Sequence, residues 1–146
     1  MIHLDLQFQK TICTCLDAVL CEVQNTEQTQ ELRISDGMPD IGSIIGAWGQ
    51  PILRGKEWQS DGMTVSGGTM VWIQYQPEEG GAPQCVETWL PFQMRWSFPP
   101  TEHDGTMFTR CMLRGVDARS ISARKIMVRT NASVMAWAMA RKNCEI

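Results

Sequence analysis

The side chains with the most chemistry to offer in this 146-residue sequence are six cysteines, two histidines and six tryptophans. The cysteines are Cys13, Cys15, Cys21, Cys85, Cys111 and Cys144. A structural zinc site calls for close C-x-x-C pairs, ideally two of them. The only close pair is Cys13-Thr14-Cys15, and one intervening residue on a strand gives poor chelating geometry. An even cysteine count suits disulfides in a secreted chain. The amino terminus, however, is acidic and polar where a secretory leader is basic and then apolar. The expectation is therefore free thiols, mostly buried as small apolar groups, in a cytoplasmic protein.

General acid–base catalysis needs a histidine or carboxylate in a tuned setting. His3 falls in a first strand, and His103 sits between Glu102 and Asp104 in a polar loop. Three adjacent residues do not readily converge on one ion, so this loop reads as a solvated tip. A cysteine nucleophile would need a partnering histidine, and no spacing suggests one. No G-x-S-x-G elbow, H-E-x-x-H pair or Walker loop occurs. Gly67-Gly68 and Gly80-Gly81 fit hairpin geometry better than a phosphate cradle. Asn131-Ala132-Ser133 matches a glycosylation sequon but falls inside a predicted strand. No catalytic residue, metal ligand or cofactor is expected, and the chain is not expected to be an enzyme.

The tryptophans are Trp48, Trp58, Trp72, Trp89, Trp96 and Trp137. Large rings fill a β-sheet core efficiently, and tryptophan is enriched at interaction hot spots. Most are expected in the core, with one or two serving an interface. Trp72 lies on the opposite parity from Val71 and Ile73 and is expected to face outward.

Net charge is −3, but Arg110, Arg114, Arg119, Arg124, Lys125 and Arg129 face one acid, Asp117, within a single stretch. A basic stretch can mark a nucleic-acid footprint. This one has no interleaved aromatics and the rest of the chain is acidic, so nucleic acid is not an expected partner. Arginines on a solvated sheet face, or paired to acids elsewhere, are the expectation.

The elements that must position these groups follow from periodicity and breakers. Apolar residues make up 43% of the chain and charged ones 20%, which is a globular balance, and no apolar run is long enough for a membrane span. Residues 2–8 alternate with period two, and 12–23 lean to strand. Asn25 to Gln30 is polar and reads as a turn or exposed edge. After Asp36-Gly37, Pro39 and Asp40 suit a helix start. Ile41, Ile44 and Ile45 then form an apolar stripe, so a short helix is expected near residues 39–46. Strands are expected at 52–58 and 64–76, the latter with a bulge or close backbone approach at Gly67-Gly68. Further strands are expected at 85–90 and 93–98 (or one bent edge strand across Pro91), 107–116 and 125–136. Residues 138–146 read as a polar tail or helical stub. Turn signals at regular intervals argue for one mainly β domain over residues 1–146, an antiparallel sandwich or barrel-like sheet.

Three stretches together carry a family resemblance. They are Ser35-Asp36-Gly37-Met38-Pro39-Asp40-Ile41-Gly42-Ser43-Ile44-Ile45, the run from Val65-Ser66-Gly67 to Tyr75 followed by Leu90-Pro91-Phe92, and Asp117-Ala118-Arg119-Ser120-Ile121-Ser122-Ala123-Arg124-Lys125-Ile126. Their order and spacing resemble the SPOCS domain, a former domain of unknown function found in spore-coat morphogenesis proteins of Firmicutes, often in several copies before a LysM module. The resemblance covers roughly residues 4–138. It implies a non-enzymatic role in layered spore-envelope assembly in the mother-cell cytoplasm. The implied partners are coat-assembly proteins and further copies of the domain. The chain reads as one copy without a LysM segment, which sets aside the partner associated with that module. Within these motifs Pro39, Asp40 and Ile41 are expected to start the helix. Asp117, Arg119 and Arg124 offer either an ion-pair network at a strand crossing or a docking surface, and Lys125 is a candidate of the same motif. The alternative function is a cell-wall or glycan-binding module using surface tryptophans.

Overall fold

A computed structural model of the chain describes Gln9 and residues 11–145. The expected first strand at residues 2–8, with His3, lies outside the described residues. Six strands follow in order: β1 (Ile12–Arg33), β2 (Ile41–Gln59), β3 (Gly62–Pro77), β4 (Gln84–Ser97), β5 (Gly105–Ser122) and β6 (Lys125–Glu145). They form two antiparallel three-stranded sheets, ordered β2-β3-β4 and β1-β6-β5. The first is a meander. The second closes a β5–β6 hairpin and adds β1 on the far edge of β6, so the opening and closing strands of the described chain are neighbours.

Alternation explains the core. Val65, Val71, Ile73 and Tyr75 on β3, with Leu90, Phe92, Met94 and Trp96 on β4, are all nearly inaccessible. They meet Val128, Val134, Ala136 and Ala138 of β6. Each core cluster draws on both sheets, and the size match is uneven: β4 supplies large side chains where β6 supplies alanines. Burying such apolar area is the main favourable term in folding. Two side-chain bridges also link the sheets, Gln30 Nε2 to Thr88 Oγ1 at 3.0 Å and Lys56 Nζ to the Met107 carbonyl at 2.7 Å.

The expected helix near residues 39–46 is absent; those residues begin β2 instead. Register shifts between Ile41 and Ser43 and between Ile44 and Gly46 each insert one extra residue against β3. Two bulges in succession turn a period of two into a period of three. Ile41, Ile44 and Ala47 consequently oppose Pro77, Tyr75 and Ile73 and share the core-facing side. Ile45 is the extra residue and stays 52% exposed. A doubly bulged strand thus imitates the i, i+3 half of a helical stripe.

Two further expectations change. The polar run Asn25–Gln30 does not turn; it continues β1 along the sheet edge, paired to β6 from Val128 to Ser133. Residues 138–145 are neither a tail nor a helical stub but extend β6 against β1. The two segments flanking Pro91 form one strand, and its place in edge strand β4 suits a residue with no donor. At Gly67-Gly68 the close approach is present: a Cβ on Gly67 would meet the Ile52 carbonyl, and one on Gly68 would meet the Trp89 ring. The 77–83 hairpin turns on Gly80 and Gly81, both with positive φ (85° and 98°), a conformation that costs glycine little. No helix long and apolar enough to cross a membrane occurs among the described residues.

Candidate interaction surfaces

The motif residues converge only in part. Arg124, in the turn between β5 and β6, reaches across to the Ser35–Asp40 loop. Its guanidinium donates to the Met38 and Ser35 carbonyls, each at 2.6 Å, and pairs with Asp40 Oδ1 at 3.1 Å. Backbone bonds complete the knot: Ile34 N–H to the Arg124 carbonyl, Ile41 N–H to the Ala123 carbonyl, and Glu78 N–H to the Asp40 carbonyl. Tyr75, wholly buried, donates its hydroxyl to the Pro39 carbonyl at 2.8 Å. Burial pushes the Tyr75 phenol above its ordinary value; the Arg124 cation pulls it back and Asp40 adds a smaller upward push. Pro39, Asp40 and Ile41 therefore fix the entry into β2 by accepting and donating backbone hydrogen bonds.

Asp117 and Arg119 are not part of that knot. They pair with each other at 3.1 Å on β5, with Arg119 81% exposed, so the expected three-residue network is split. Lys125 opens β6, half-buried and opposite Arg33. The basic stretch does not form one continuous patch either: Arg129 pairs with Glu27 at 3.2 Å, and Arg124 points into the loop knot.

The tryptophans divide differently from expectation. Trp96 is buried, and Trp58 packs on the same core with its ring 5.0 Å from Phe98. The other four lie on outward parities. Trp72 is half-buried on the outward side of β3, as its parity predicts, and donates its indole N–H to Glu87 at 3.2 Å. Trp48 stands opposite it in register and is half exposed. Trp89 is capped by the Arg54 guanidinium, 4.0 Å from the ring centroid. This outward face of the β2-β3-β4 sheet also presents Gln50, Gln74 and Gln93, so it is aromatic and hydrogen-bonding, with Glu87, Arg54 and Arg95 among its charges.

The outward face of the β1-β6-β5 sheet has another character. Cross-strand register aligns Cys21, Trp137 and Phe108 in one row, Val23, Met135 and Arg110 in the next, and Asn25, Ser133 and Met112 beyond. Val23 (63%), Met112 (59%), Phe108 (52%) and Trp137 (40%) are all substantially exposed. The Phe108 and Trp137 rings meet edge to face at 6.5 Å, within the range where aromatic pairs attract. Arg110 stands among these apolar groups, opposite Met135, and further along β6 Arg129 and Arg141 are held in exposed ion pairs with Glu27 and Asp104. Contiguous exposed apolar groups with a polar rim are the mark of an interaction surface. The sequence does carry a signal for it: from Val134 to Ala140 both parities of β6 are apolar, so one set has to leave the core.

At one end of the molecule an open groove of about 610 Å³ runs between the start of β1, the 99–103 loop and the end of β6. Asp17, Glu102, His103 and Arg141 line it. Arg141 pairs with Asp104 at 2.8 Å, while His103 makes no ion pair or side-chain hydrogen bond among the described residues. No group of three or more His, Cys, Asp or Glu converges as a metal site among them. The cysteines differ from the expected buried free thiols. Cys15 and Cys144 form a disulfide across the β1–β6 ladder, Cys21 and Cys85 are exposed, and Cys13 and Cys111 are partly covered.

No family model matches this chain, and neither a curated protein nor a solved structure matches it.

Proposed function

We propose that the chain is a non-enzymatic protein-interaction module of a coat-like assembly, and that partner proteins dock on the outward face of its β1-β6-β5 sheet. One observation carries this: the Phe108–Trp137 pair, with Val23, Met112 and the partly exposed Met135, forms an apolar island around Arg110, with ion-paired charges beyond it. Aromatic side chains at the centre of such a patch and charges at its edge are the usual division of labour in protein interfaces. The partner face is accordingly apolar at its centre. Two sheets sharing one core support an antiparallel β-sandwich as the architecture, with its two opposite outward faces free to build an assembly. The likeness to SPOCS domains supports coat-assembly proteins and other copies of the domain as partners, in the mother-cell cytoplasm. Affinity capture with the domain from sporulating and from vegetative lysates of its own source tests this. Envelope-assembly proteins are expected in the sporulating sample alone; the same partners in both samples would overturn the assignment.

A second function is favoured by the other sheet. Trp48 and Trp72, opposed in register and flanked by glutamines and Glu87, make an aromatic, hydrogen-bonding platform of the kind that stacks on the C–H faces of sugars. Tryptophan fluorescence unchanged by peptidoglycan fragments would remove it.

A further inference from the structure

We propose that Cys13, Cys15 and Cys144 form a thiol–disulfide exchange site in which Cys144 is the shared sulfur, bonded to Cys15 or to Cys13. Cys13 and Cys15 are two residues apart on β1 and therefore project to one face. The register places Cys144 of β6 directly opposite Cys13, while Cys15 opposes Lys142. Directly opposed residues belong to the same face of a ladder, so all three sulfurs share one side. The only register shift in β1 lies beyond them, between Ala18 and Leu20.

Cys144 thus has two partners within reach. Its bonded partner is the diagonal one, Cys15, at a Cα–Cα separation of 6.6 Å. That lies near the upper end of the span of about 4.4–6.8 Å that disulfides bridge. Directly opposed strand residues are about 4.5–5.5 Å apart, inside the same span, so Cys13 is sited to replace Cys15 without movement of either strand. Cys13 remains a thiol, partly covered but not buried.

The exchange balances without any other reactant. Cys13 gives its proton to solvent and its thiolate attacks Cys144 Sγ. The Cys144–Cys15 bond breaks, and its electron pair leaves on Cys15 Sγ, which takes a proton from solvent. The Lys142 carbonyl, 3.4 Å from Cys15 Sγ, is placed to accept a hydrogen bond from the released thiol. Starting from three thiols, one small-molecule disulfide such as oxidised glutathione supplies the oxidation. A first thiolate forms a mixed disulfide and expels one glutathione thiol, and a second resolves it and expels the other. Either isomer fastens the start of β1 to the end of β6, closing a loop of more than a hundred residues (the Cys15–Cys144 separation is 129). The site is a redox clasp, open in a reducing compartment and closed on oxidation.

The full chain is equilibrated with oxidised glutathione, quenched in acid, alkylated and mapped without reduction, fragmentation across Thr14 distinguishing Cys13 from Cys15. Both Cys13–Cys144 and Cys15–Cys144 linkages are expected in the native protein. Cys13→Ser and Cys15→Ser should each still block Cys144 from alkylation, and oxidation should raise the melting temperature of both but not of Cys144→Ser. The proposal is overturned if Cys144 becomes as alkylatable as in the reduced protein in either single variant. Capture of Cys144 by Cys21, Cys85 or Cys111 instead would overturn it equally. The same mapping in urea shows whether the preference belongs to the fold: an unchanged linkage pattern there would also overturn it.

Discussion

The Arg124 knot and the outward face of the β1-β6-β5 sheet contain side chains of equal chemical interest and use them in opposite ways. In the knot, every polar group is answered from within: two carbonyls and Asp40 by Arg124, and the Pro39 carbonyl by Tyr75. On the outward face, Phe108 and Trp137 answer each other at their edges and still leave about half of their surface in water. The family-like motif therefore marks a place where the chain holds itself together. The apolar centre of the surface best suited to a partner carries no motif residue. Recurrent charged residues can be structural, and binding can reside in the unremarked parity of a strand.

The contrast is sharpened by substitutions that act on one region alone. Arg124→Ala removes a fork of charge-assisted hydrogen bonds and leaves the Met38 and Ser35 carbonyls short of a donor. It should cost about 2–4 kcal/mol, read as a lower midpoint in urea unfolding. Arg124→Lys should restore only part of that, because an ammonium cannot span both carbonyls and a carboxylate as a planar fork does. Normal stability in Arg124→Ala would show that the knot is ornamental.

Phe108→Ser with Trp137→Ser should do the reverse. Partner binding should weaken about 100-fold, as for a central hot spot, while stability falls by only about 1–2 kcal/mol, since Phe108 is 52% and Trp137 40% exposed in the folded chain. Smaller again is Tyr75→Phe, which deletes one hydrogen bond and should cost about 1 kcal/mol. The same hydroxyl gives a pH test. Its folded pKa is raised from 10.0, so the native state holds that proton more tightly than the unfolded chain. The resulting stability is complete below pH 10 and is lost as pH rises from there through the folded value. Tyr75→Phe should flatten this alkaline decline in denaturant titrations at pH 9 to 11. The smallest effect belongs to Asp117→Asn: its partner Arg119 is exposed, and such pairs contribute about 0.2–1 kcal/mol. A larger loss would mean that Asp117 belongs to the knot after all.

Much of the fold was legible in the sequence because alternation and turn residues agreed. Thr64 to Gln76, Pro77 to Pro83 and the strands at 107–116 and 125–136 fell where period two and glycine placed them, although the last two strands run on to Ser122 and Glu145. Ile41–Ile45 misled because two bulges put every third residue on one side, a pattern that local periodicity cannot separate from a helix. The polar half of β1 misled because an edge strand needs only one partner, and the ladder to β6 holds glutamines and threonines extended regardless of their propensity. The interaction face was half legible. Trp72 was correctly oriented by its neighbours, but Trp137 was not, since in β6 the core-facing positions are the small alanines and the large residues leave. Only the opposing bulk of Phe92, Met94 and Trp96, brought in by the other sheet, explains that inversion. The cysteine cluster was invisible for the same reason: Cys144 meets Cys13 only through a register spanning most of the chain.

The most direct test of the central claim is quantitative binding of a captured envelope partner to three forms of the domain: native, Phe108→Ser/Trp137→Ser, and Trp48→Ser/Trp72→Ser. Loss of affinity in the first double variant with retention in the second is the predicted result. Unchanged affinity in the first, or loss confined to the second, would contradict the assignment of the β1-β6-β5 face.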